Sequence, residues 1–153
     1  MCIRDSAKED NAAALSDLAE AIRLAPTSGQ YYAHRGQIRA ATGELDLAIA
    51  DFDAAVRFDA NGWVFHRERA QLYMLRSEAE PASRAQDLLR AKESLDSIVR
   101  GGAPEAADYE KRGLVLERMG LVKEAIADLR IALAQDKSLE ESRAALKRLG
   151  AAQ

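Results

Sequence analysis

Apolar and small residues recur along the chain at the spacing of an α-helix rather than a strand. Over residues 139–150, Leu139, Leu146 and Leu149 share one side and charged residues the other, which predicts an amphipathic helix. Near the start, Leu15, Leu18 and Ile22 form a comparable apolar face. Small residues at Gly36, Ala70 and Gly113 are expected to face Ala48, Ala91 and Ala125, because helices approach to about 8–10 Å only where the side chains at their crossing are small. Gly43 and Gly120 are predicted to end helices, since a left-handed residue caps a helix without steric cost. Gly101-Gly102, followed by Ala103-Pro104, marks a further stop. Glu80-Pro81-Ala82-Ser83 reads as a helix start, so that residues 81–100 form one long helix.

These helices repeat. Tyr32-Ala33-His34-Arg35-Gly36, Phe65-His66-Arg67-Glu68-Arg69-Ala70 and Tyr109-Glu110-Lys111-Arg112-Gly113 align on their Arg-Gly or Arg-Ala pair. After Gly36 come Gly43, Ala48, Phe52 and Ala55; after Gly113 come Gly120, Ala125, Leu129 and Ala132, at the same offsets of 7, 12, 16 and 19. Ala14, Leu18, Ala21 and Pro26 repeat the second half of the pattern one period of 34 residues before Ala48.

A 34-residue unit of this kind resembles the tetratricopeptide repeat (TPR) family. The resemblance implies an all-α fold, a solenoid of helix-turn-helix units in which antiparallel helix pairs stack into a right-handed superhelix. In its register the chain divides into a half repeat at 7–28, repeats at 29–62, 63–105 and 106–139, and a capping helix with tail at 140–153. Leu18, Phe52, Leu95 and Leu129 would fill the space between helix pairs, since no pair buries its apolar faces alone. Met1 to Ser6 resembles translated sequencing adapter, as found at the ends of proteins predicted from metagenomes, and stands where a first helix belongs. The expectation is an N-terminally truncated bacterial chain whose exposed half repeat invites self-association. Its compartment is left unassigned.

The middle repeat is longer by nine residues, placed around 77–86 and expected to lengthen its second helix. Arg35, Arg69 and Arg112 occupy one repeat position, and Asp17, Asp51 and Asp128 another. Arg35 and Arg112 are expected to pair with these aspartates, because a half-buried guanidinium needs an acceptor. Ser94 replaces the aspartate in the long repeat, so Arg69 should lean on Asp51 or stay solvated.

Composition agrees with helices: 31 Ala stand against 14 Val, Ile and Thr together. With 22 Lys and Arg against 25 Asp and Glu, the net charge of −3 does not suggest nucleic-acid binding. No apolar run approaches the roughly 20 residues that span a bilayer. Cys2 is the single cysteine, so neither an intrachain disulfide nor a cysteine metal cage can form. His34 and His66 are the only histidines, and no zinc motif or nucleophile arrangement accompanies them. Catalysis, metal and cofactor are therefore not expected. His66 reads as a core-edge residue.

The resemblance implies that first helices line a concave groove. Its lining would be Gln30, His34 and Gln37, then Val64, Arg67, Glu68 and Gln71, then Glu110, Lys111 and Leu114. This mixed surface suits an extended peptide or a partner helix. A clamp for a C-terminal carboxylate is not expected, since Ala33, Gln37, Glu68, Ala107 and Lys111 occupy the positions that would form it. Charge reversals at Arg67, Glu68 and Lys111 should weaken binding without melting the fold. The rival readings are a C-terminal regulatory or targeting region of a larger enzyme and a self-assembly module.

Overall fold

The computed structural model describes residues 3–151, with side chains from Asp10 onward. Met1 and Cys2 lie outside the described residues, and with them the reading of Cys2. Every described element is an α-helix. They are α1 (Ile3–Leu24), α2 (Gly29–Ala41), α3 (Leu45–Phe58), α4 (Trp63–Ala79), α5 (Arg84–Gly101), α6 (Ala106–Arg118), α7 (Val122–Gln135) and α8 (Glu140–Arg148). The chain forms two compact units, Met1–Phe65 and His66–Gln153.

In the first unit α1 packs on α2, and α2 on α3. No helix-breaking Gly or Pro stands between Ile3 and Leu24, and α1 runs unbroken across that span. Leu15, Leu18 and Ile22 are only half-buried on it. The α2–α3 contact is tight at Gly36. A β-carbon built there would stand 2.9 Å from the Phe52 ring and 3.2 Å from the Asp51 β-carbon. Tyr32 stacks at a tilt on Phe58, 5.4 Å between centroids, and its hydroxyl donates to the Pro26 carbonyl at 3.1 Å.

In the second unit α5 packs on α6, α6 on α7, and α8 on both α6 and α7. Gly113 repeats the close approach of Gly36, its added β-carbon 2.8 Å from Leu129 and 3.3 Å from the Ala125 carbonyl oxygen. Leu95, Ile98, Val115 and Leu129 are almost wholly enclosed. Ala145 and Leu146 on α8 close the end of this core over Leu129, with Leu114, Ile126, Leu133 and Leu149 packed around them.

Helix ends follow the glycines. Gly43 and Gly120 adopt φ of +85° and +77°, and Gly150 repeats the device at +68°. Beyond each, the next N–H turns back into the helix: Glu44 donates to the Arg39 carbonyl at 2.8 Å, Leu121 to Leu116 at 2.9 Å and Ala151 to Leu146 at 2.8 Å.

The nine extra residues do not go into one helix. Both helices of the long pair gain: α4 has 17 residues where α2 and α6 have 13, and α5 has 18 where α3 and α7 have 14. The ninth residue lengthens the turn. Pro81, expected inside the helix, lies in that turn, and α5 starts at Arg84. The local bonding explains the shift. Glu80 N–H closes the last turn of α4 on the Arg76 carbonyl, Ser83 N–H bonds the Glu80 carbonyl, and Asp87 N–H opens α5 on the Ser83 carbonyl.

Two glycine substitutions separate packing from backbone effects. Gly36→Ala should cost about 1–3 kcal/mol through the clash with Phe52. Gly43→Ala, with nothing within 4 Å, should cost about 1 kcal/mol through its positive φ alone. Urea unfolding of both variants checks the difference.

Candidate binding surface

Buried carboxylates organise the helices. Asp51 is 2% exposed and takes Arg35 through Nε and Nη2, the shortest contact 2.7 Å, and Arg39 at 2.8 Å. Asp128 takes Arg112 at 2.6 and 2.8 Å, and the third nitrogen of Arg112 reaches Asp96 at 3.0 Å. The expected pairs of Arg35 and Arg112 are thus present within each helix pair. Arg69 donates through its Nε to the buried Ser94 hydroxyl at 2.9 Å, so the serine keeps the acceptor role of the missing aspartate. Hydrogen bonds from Arg35 and Arg112 to their aspartates hold both guanidiniums above their ordinary pKa, so these charges are permanent.

Two further carboxylates were not anticipated. Asp108, 2% exposed, accepts from the Glu105 N–H at 2.9 Å and so closes the start of α6. It also receives Arg67 at 2.8 and 2.9 Å, across from α4. Asp87, fully buried, receives Arg76 at 2.7 Å and the Ser83 hydroxyl at 2.7 Å. Burial pushes its carboxyl up, but the hydrogen bonds from Arg76 and Ser83 and the Arg76 charge outweigh this and hold it below the usual value. Asp87 had no counterpart in the repeat because it belongs to the insertion. Asp108 had a legible signal, an acidic residue in the first turn of a helix.

The first helices of the second unit are therefore stitched together. Arg67 on α4 reaches α6; Ser142 on α8 donates to Glu110 on α6 at 2.6 Å; Arg148 on α8 reaches Glu117 on α6 at 2.9 Å. This changes the standing of three proposed lining residues. Arg67 also touches Ala103 and Glu105 and is a structural tie rather than a free contact residue. Glu110 is held by Ser142, and Leu114 packs into the core beneath α8.

The remaining lining residues behave differently. Gln30, His34 and Gln37 on α2 are exposed, as is Gln71 on α4, while Glu68 and Lys111 are half-buried. Among the described residues none of these six side chains makes a hydrogen bond or ion pair. Val64 is 57% exposed. His66 is buried, as is Ala33. Among the described residues no group of three His, Cys, Asp or Glu side chains converges as a metal site, and no helix is long and apolar enough to cross a membrane.

Residues 29–61 match the tetratricopeptide repeat family. The TPR repeat-containing thioredoxin TTL4 of Arabidopsis thaliana is 30% identical over 130 residues; the match takes in 84% of this chain and 17% of that protein. MamA of Desulfovibrio magneticus RS-1 superposes with a TM-score of 0.76 at 16% identity, covering 97% of this chain and 81% of MamA. YrrB, described as a TPR protein with an unusual peptide-binding site, superposes at 0.69 with 18% identity, covering 86% of this chain and 63% of YrrB. The chain thus carries a tetratricopeptide repeat at 29–61 and has the helical solenoid fold of TPR proteins.

Two predictions follow from the buried carboxylates. Arg67→Ala should cost about 3–5 kcal/mol, because it strands the Asp108 charge in a buried place, whereas Glu68→Lys should change stability by about 0.5 kcal/mol or less. Chemical denaturation of the two variants checks this. Asp87, with its pKa lowered by folding, gives stability that is complete above the unfolded carboxylate value of about 3.9 and is lost as pH falls through its folded value. Asp87→Asn should therefore be less stable than the parent at pH 7, and the gap should narrow as pH falls below about 4. Thermal melts across pH 2–8 read the effect.

Proposed function

We propose that the chain is a non-catalytic scaffold that binds an extended peptide or a partner segment along the exposed side of its first helices. The observation that carries this reading is the contrast within one set of positions. Arg67 and Glu110 are consumed by internal bonds, while Gln30, His34, Gln37, Glu68, Gln71 and Lys111 are not. Polar side chains left without internal partners, Gln30, His34 and Gln37 in the first unit and Glu68, Gln71 and Lys111 in the second, supply the donors and acceptors that peptide recognition uses. The fold shared with YrrB, which has a peptide-binding site, supports the same reading.

The mixed signs of Glu68 and Lys111 suit a segment that carries charges of both signs, with charge complementarity setting its register. Ala33 is buried where a carboxylate clamp would need a lysine, which argues against that mode at this face. One observation favours a second reading at the level of the whole protein. The match to 17% of a repeat-containing thioredoxin supports these repeats acting as the interacting region of a longer, enzymatic chain.

Selection of a random peptide library on the immobilised chain, followed by fluorescence anisotropy on an enriched peptide, tests the main reading. Glu68→Lys and Lys111→Glu should each weaken binding at least tenfold, while Leu47→Ala, on the exposed side of α3, should leave it unchanged. Failure to enrich any peptide, or binding indifferent to both reversals, would contradict it.

A further inference from the structure

The insertion that lengthens α4 and α5 also builds a recess. The turn after α4 and the first residues of α5 stand beside the end of α6, where Pro81, Arg84, Ala85, Leu88, Arg118 and Met119 line an open hollow of about 430 Å³. An adjoining hollow of about 380 Å³ shares Arg84, Leu88 and Arg118 and adds Ser77 and Glu78. Both volumes fall in the range of small-ligand pockets. None of these residues belongs to the first-helix face considered above.

The walls are apolar and the charges are few. Pro81, Ala85, Leu88 and Met119 supply hydrocarbon, and Leu88 is 4% exposed. Arg84 is anchored by its Nε, which donates to the Ser77 carbonyl at 3.0 Å, and its terminal nitrogens make no other hydrogen bond among the described residues. Arg118 pairs with Glu78 at 2.6 Å, both side chains more than a third exposed. An exposed pair of this kind is weak and exchanges readily. Two guanidiniums against one carboxylate leave one net positive charge beside an apolar wall.

We propose that this recess binds a carboxylate carried on a compact apolar group. The hydrocarbon lies against Leu88, Pro81 and Met119, and the carboxylate is shared between Arg84 and Arg118 in competition with Glu78. The net charge selects a monoanion, because a dianion would leave excess negative charge next to Glu78. The planar guanidinium forks match the two oxygens of a carboxylate. Such a carboxylate can be that of a free acid or the last residue of a polypeptide.

The test is a ¹H–¹⁵N NMR titration of the whole chain with 4-methylpentanoate, with 4-methylpentanamide as the neutral control and inorganic phosphate as the dianion. The acid should give saturable shifts at Arg84, Ala85, Leu88, Arg118 and Met119, and the amide and phosphate should not. Arg84→Gln should weaken binding at least fivefold, and Glu78→Gln should strengthen it at least twofold by removing the competitor. Arg118→Gln replaces Arg84→Gln if that variant does not fold. A short peptide ending in leucine identifies the source: binding ten times tighter than the acid assigns a polypeptide end, and equal binding assigns a free acid, each upholding the carboxylate site. Equal shifts with the amide, preference for phosphate, or weaker binding in Glu78→Gln would overturn the proposal.

Discussion

The helices of this protein depend on carboxylates that have no water to solvate them. Asp51, Asp87, Asp108 and Asp128 are each nearly or fully buried, and each is met by an arginine from another helix. A charge in that position is costly unless its partner is in place, so each pair fixes how two helices meet. The pairs differ in what they join. Asp51 and Asp128 tie the two helices of one repeat, Asp87 ties α4 to α5 within the insertion, and Asp108 ties α4 to α6.

That last tie decides which residues are available for binding. On a solenoid of helix pairs, the first helices present a row of side chains that can either bond one another or face a partner. In the second unit Arg67–Asp108 and Ser142–Glu110 take the first course. The side chains beside them, Glu68, Gln71 and Lys111, are left for the second. Fold and candidate function are thus drawn from the same few positions, and internal bonding marks off one from the other.

Much of the fold was legible in the sequence because its cause is local and periodic. Small residues at Gly36 and Gly113 announce close helix crossings, and Gly43 and Gly120 announce left-handed caps, wherever the chain goes next. The Arg35 and Arg112 pairs were legible for the same reason, since donor and acceptor recur at fixed repeat positions. What the sequence hid is not periodic. The insertion offers no second copy for comparison, so the sharing of its residues between α4 and α5 depended on turn bonds around Ser83 that only the three-dimensional arrangement shows. Arg67 was read as a groove residue because its position faces that way in the repeat, whereas Asp108, 41 residues later, draws it inward.

The most direct test of this account is a double-mutant cycle on Arg67 and Asp108, with stability measured by urea unfolding of Arg67→Ala, Asp108→Ala and the double variant. If the buried pair is a tie between first helices, the two changes should couple by about 1.5 kcal/mol or more, within the span seen for contacting residues. Additivity to within about 0.5 kcal/mol would mean that Arg67 is not held by Asp108, and would return it to the face open to a partner.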